Sequence, residues 1–139
     1  MNKFWLMVTL YTPQTADKAL PEVKRLFEGI IALKNHVVGL QEEIQAVIDS
    51  GSPFEDFMRK KQELNTAVTN LYKAIEQLEA TGVIIKSVDE GLLDFPSRRF
   101  DEEVWLCWKV GENRIKFWHG KEEGFTGRKP LESTGIIEP

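Results

Sequence analysis

"PEVKRLFEGIIALKNHVVGLQEEIQAVIDS", Pro21 to Ser50, decides the fold. Its apolar residues Val23, Leu26, Ile30, Leu33, Val37, Leu40, Ile44 and Val47 recur at alternating steps of three and four. That is the unbroken heptad seam of an amphipathic helix. "GSP" at 51–53 then interrupts the pattern, and it resumes with Phe54, Phe57, Lys61, Leu64, Val68, Leu71, Ile75 and Leu78. Gly82 is placed to end this second helix. In an antiparallel pair, the numbers of facing residues have a nearly constant sum. From Val47 with Phe57, through Leu40 with Leu64, to Leu26 with Leu78, that sum is 104 or 105 in every layer. The spacing predicts a coiled-coil-like antiparallel helical hairpin over 12–82.

Lys61 is the polar intruder in the seam. It either lays its stem on Ile44 with the ammonium in water, or specifies register or partner. A second apolar stripe, Phe27, Ile31 and Val38, runs beside the first, and Met58 and Tyr72 flank the other helix. At about 1.5 Å per residue each helix is longer than a globule of this size is wide. Two helices alone do not cover so much apolar surface, so a sheet or a second chain must. A homodimer or higher homo-oligomer, joined through the Phe27 stripe or the hairpin ends, is the expected partner.

Upstream, "MNKFWLMVTLYT" has no small-residue cleavage site and runs into Pro13, so it reads as a strand over 1–11, not a leader. Thr12 can cap the first helix with Pro13 in its first turn, and Pro21 kinks that helix or starts a new one. Downstream the period changes to two. "VIIKSV" is a strand, "LLDFPSRRFDEE" an extended loop around Pro96, and "VWLCWKV", 104–110, a strand hairpinned through "GENR" to "IKFWHG", 115–120. The chain is thus one α+β domain over 1–139: the hairpin packed with a small, mostly antiparallel β-subdomain at 83–131, and a tail at 132–139.

A tight turn pairs Val110 with Ile115, Trp108 with Phe117, and Leu106 with His119. Side-chain alternation then sends Cys107 and His119 to opposite faces, which opposes a Cys–His nucleophile pair unless a bulge restores it. His119 near Asp94 has the makings of a carboxylate-oriented base or of a buried structural pair. "GFTGRKP", with Arg128 and freed glycine N–H groups, suits a small anionic ligand. Asp94, His119, Arg128 and Trp118 are the candidate ligand-binding residues. The two histidines, His36 and His119, lie in different halves, and Glu122 with Glu123 has no spaced partner, so no metal and no cofactor is expected.

Eighteen basic residues against 22 acidic ones leave a net charge of −4 and a pI near 5.3. Nothing concentrates a basic face, which argues against nucleic acid. No run is long and apolar enough for a membrane span. One free thiol fits a reducing, cytoplasmic setting.

Several elements together resemble the signature of a prokaryotic domain family of unknown function. They are Gly91-Leu92, Asp94-Phe95-Pro96, Leu106-Cys107-Trp108, Gly111-Glu112, Trp118-His119, Gly124-Phe125, Gly127-Arg128 and Pro130, preceded by "YTPQTADKALP" at 11–21. The resemblance spans about Tyr11 to Leu131 and implies no activity, substrate or cofactor. Whether the protein is an enzyme stays open. The primary reading is a non-enzymatic interaction or scaffold protein that self-associates through its hairpin. The alternative is a small-molecule or anion-binding protein, or an enzyme, using Asp94, His119 and Arg128.

Overall fold

The computed structural model describes residues 10–131; the predicted strand at 1–11 lies mostly outside them, and the tail at 132–139 entirely so. The described chain forms two compact units, one from 10–25 with 78–131 and one from Leu26–Gln77.

Helix α1 (Pro13–Ser50) and helix α2 (Phe54–Glu79) are the two arms of the predicted hairpin. Thr12 caps α1: its Oγ1 accepts the Thr15 N–H at 3.0 Å while its own N–H donates to Thr15 Oγ1 at 2.8 Å. This reciprocal arrangement satisfies donors that have no partner within the helix. Pro21 starts no second helix but lies inside α1. The helix ends in a Schellman motif. Gly51 takes φ +67°, its N–H meets the Ile48 carbonyl at 3.2 Å, and the Ser52 N–H meets that of Val47 at 3.3 Å.

Within the hairpin unit Val37, Leu40 and Ala67 are buried, with Leu64, Val68 and Leu71 packed against them. Val37, Leu40, Leu64, Val68 and Leu71 belong to the central layers of the predicted seam; Ala67 lies beside it. Lys61 is exposed, and it is Lys60 that crosses the hairpin to Glu43 at 3.3 Å. Phe27 is fully buried, so of the predicted second stripe only Val38 stays exposed, with Ile31 half-buried.

The other unit holds five strands in sequence order, all antiparallel: β1 (Ile84–Ser87), β2 (Leu92–Arg99), β3 (Glu102–Lys109), β4 (Phe117–Gly120) and β5 (Lys129–Pro130). The stretch expected to be a loop around Pro96 is strand β2. Proline fits there because β1 pairs no further than Asp94, so the missing N–H of Pro96 costs no bond of the β1–β2 ladder. There the Pro96 carbonyl accepts the Tyr11 N–H at 2.7 Å, beside a parallel bridge between Tyr11 and Ser97. Phe100 and Asp101, at φ +52° and +61°, make the two-residue turn into β3, the backbone that a twisted hairpin requires.

The β3–β4 register also differs from expectation. Cys107 faces Phe117, Leu106 faces Trp118, and Trp105 faces His119. The segment between the strands is not a tight turn. Glu112 takes the Lys109 N–H on its carboxylate at 2.8 Å and the Trp108 indole N–H on its carbonyl at 2.9 Å. Ile115 pairs with α1 instead of Val110, donating its N–H to Asp17 Oδ1 at 2.7 Å. A one-residue slip moves every side chain of a strand to the other face. Trp105, Cys107, Phe117 and His119 therefore share one face with Asp94, and Leu93, Phe95, Val104, Leu106 and Trp108 line the other.

Candidate functional site

The register brings together three polar side chains from three adjacent strands. Asp94 of β2 pairs directly with Cys107 of β3, and His119 of β4 lies two register positions further along, on the same face. Each is about 98% or more withdrawn from solvent. His119 Nε2 lies 3.0 Å from Asp94 Oδ1, and Nδ1 lies 2.9 Å from the Gly120 carbonyl. A carbonyl only accepts, so Nδ1 carries a proton. The Cys107 sulfur completes the group: one ligand atom from each residue lies within 4.8 Å of the other two.

Burial by itself lowers the pKa of His119. The Asp94 hydrogen bond, the Cys107 side chain and the Gly120 carbonyl outweigh it and hold the imidazole up at about 10. At neutral pH both ring nitrogens are therefore protonated, and an imidazolium is clamped between a carboxylate and a carbonyl.

Arg128 does not join the cluster. Its guanidinium lies over the Phe117 ring at 3.9 Å and the Phe125 ring at 4.5 Å, and pairs with Glu112 at 2.9 Å. It touches the centre only through the Cys107 carbonyl, at 3.4 Å. Trp118 sits on the opposite face, flanked by Arg99 at 4.9 Å and Lys129 at 4.8 Å. A cleft of about 650 Å³ opens beside Trp118 among Arg98, Glu103, Lys121 and Glu123, but Asp94, His119 and Arg128 do not line it.

Of the four sequence candidates, then, the structure unites Asp94 with His119 and leaves Arg128 and Trp118 in separate contacts. Two residues were missed. Cys107 was placed on the wrong face by the assumed tight turn, so the expected separation of thiol and imidazole is overturned. Glu112, read as part of a turn, holds Arg128, the Lys109 N–H and the Trp108 indole at once. Its "GE" position in the signature was the available signal.

The model of one protein family, described as "Uncharacterized conserved protein (DUF2203)", matches residues 9–131. No curated protein and no solved structure matches the chain.

Proposed function

We propose that this chain, which belongs to the DUF2203 family, is a non-enzymatic interaction protein that self-associates through the loop end of its helical hairpin. One observation carries the reading. Ile48, Phe54 and Met58 surround that loop and are 54%, 71% and 40% exposed, with Phe54 stacked on Phe57 at 6.0 Å. An apolar cluster at the tip of a hairpin with only one buried seam favours a second hairpin as its cover. The burial of Phe27 removes the other surface considered and leaves the tip. On this reading the hairpin acts as a coiled coil, the buried thiol suits the cytoplasm, and the C-terminal signature is a prokaryotic family feature. No helix among the described residues is long and apolar enough to cross a membrane.

The alternative, a substrate site formed by Asp94, His119 and Arg128, is the weaker reading. These residues are engaged in internal pairs and do not converge on an open cleft. Light scattering on the tag-free chain over micromolar concentrations tests the proposal. The expected mass is a multiple of 16.0 kDa, reverting to the single-chain value in the Phe54→Ser, Met58→Ser double variant. A single-chain mass for the unaltered protein throughout that range refutes it.

A further inference from the structure

We propose that Asp94, Cys107 and His119 are the ligands of one divalent transition-metal ion of zinc type. The argument begins with the donor set. A thiol, an imidazole and a carboxylate meet with their ligand atoms within 4.8 Å of one another, each on a different strand and each buried. A His–Asp pair needs no sulfur, and a buried cysteine packed as a small hydrophobe needs no charged neighbours. Coordination accounts for all three together. Thiolate and imidazole exclude calcium and magnesium, which take oxygen ligands, and suit zinc and its borderline-soft relatives.

The dimensions fit as well. Zinc bonds of about 2.0–2.3 Å place neighbouring ligands of a tetrahedron roughly 3.2–3.7 Å apart. Nε2 and the Asp94 oxygen, at 3.0 Å, need to separate by only a few tenths of an ångström. The sulfur, no further than 4.8 Å from either, needs to move in by about an ångström at most, within reach of a small side-chain rotation.

Orientation supplies a second, independent observation. His119 donates Nδ1–H to the Gly120 carbonyl at 2.9 Å, and Nε2 faces the Asp94 carboxylate at 3.0 Å. A histidine that ligates through one nitrogen is characteristically held by a hydrogen bond from the other, often to a backbone carbonyl. Here that hold comes from the chain neighbour of the ligand itself, at the end of β4.

Charge agrees too. On binding, the ion displaces the Nε2 proton and the thiol proton to solvent. A dication with one thiolate, one carboxylate and a neutral imidazole is then uncharged overall, the state a buried site favours. Among the described residues no fourth His, Cys, Asp or Glu joins the group. The remaining position falls to the second Asp94 oxygen or to a water. This proposal is independent of self-association: a monomer would hold the ion equally well.

The test uses the tag-free full chain, stripped with a chelator and titrated with Co²⁺ and then Zn²⁺. One equivalent of cobalt per chain should bind, with a thiolate-to-cobalt charge-transfer band in the near ultraviolet, and zinc should displace it and raise the melting temperature. In Cys107→Ser, which keeps the side chain's shape, the band should vanish and zinc affinity should fall at least about tenfold to a hundredfold. The same fall in His119→Gln, checked for folding by circular dichroism, assigns the second ligand. The proposal is overturned if the folded, stripped protein shows neither band nor thermal shift. It is equally overturned if zinc binds Cys107→Ser as tightly as the unaltered chain.

Discussion

Asp94→Asn removes the carboxylate that clamps the His119 imidazolium and leaves the side-chain shape intact. The two groups are 3.0 Å apart with side chains only 2–3% exposed, so water cannot replace the lost partner. Deleting one member of a buried pair costs about 3–5 kcal/mol. Asparagine still offers an acceptor to Nε2–H, which brings the expected loss to about 2–4 kcal/mol at neutral pH. For a chain of this length that lowers the melting temperature by roughly 5–15 °C.

The pH dependence makes the prediction specific. The His119 pKa is raised from 6.5 to about 10. A cation whose pKa is raised by folding stabilises the native state fully below its unfolded pKa, and the contribution is lost as pH climbs through the folded value. The unaltered protein should therefore lose up to a few kcal/mol between about pH 6.5 and pH 10, and Asp94→Asn should lose much less over the same interval. All other side chains are common to both chains, so the difference between the two melting curves reports on the pair. Calorimetry in the presence of a chelator, which keeps metal out of the comparison, should show the gap widest near pH 6 and closing toward pH 10. A gap that does not vary with pH, or a neutral-pH shift under about 1 °C, would refute the clamped imidazolium.

Other substitutions probe the rest of the frame. Leu40→Asp puts a carboxylate into the layer formed with Val37, Leu64 and Ala67, and should cost about 3–5 kcal/mol; an unchanged thermal melt by circular dichroism would contradict the seam. Arg128→Met keeps contact with the Phe117 and Phe125 rings but abandons Glu112, for an expected loss of about 1–3 kcal/mol in chemical denaturation; no loss would mean the ion pair contributes nothing. Gly91→Ala forces a side chain onto φ +70° with its Cβ 2.8 Å from Val110 Cγ2, and should destabilise by about 1–3 kcal/mol. Adding Val110→Ala should recover only the steric part of that loss, as a double-mutant comparison of melting temperatures would show.

The helical hairpin was legible because its information is local. Alternating steps of three and four set each seam, and matching layers across "GSP" set the pairing, with no need for distant contacts. The turn at Phe100–Asp101 was not legible, since left-handed backbone at phenylalanine followed by aspartate lacks the glycine that normally announces it. Without that turn, "LLDFPSRR" had no visible partner, and Pro96 read as a break although β1 pairs no further than Asp94, so its missing N–H costs that ladder no bond.

The register of β3 failed for a different reason, and it decided the site. "VWLCW" is apolar at both parities, so alternation names no core face and leaves register to whatever closes the strands. What closes them is long-range: the Ile115 N–H goes to Asp17, 98 residues away. Glu112 meanwhile draws the segment shut through the Lys109 N–H and the Trp108 indole. No local pattern encodes either contact. Asp94 and His119 were nonetheless detectable one at a time, as ionisable residues inside "LLDFP" and "FWHG" where burial without a partner would be costly. Two such misfits in one small sheet are each other's best explanation. The cysteine between them was hidden by the misplaced register, and a buried cysteine, taken alone, gave no reason to question it.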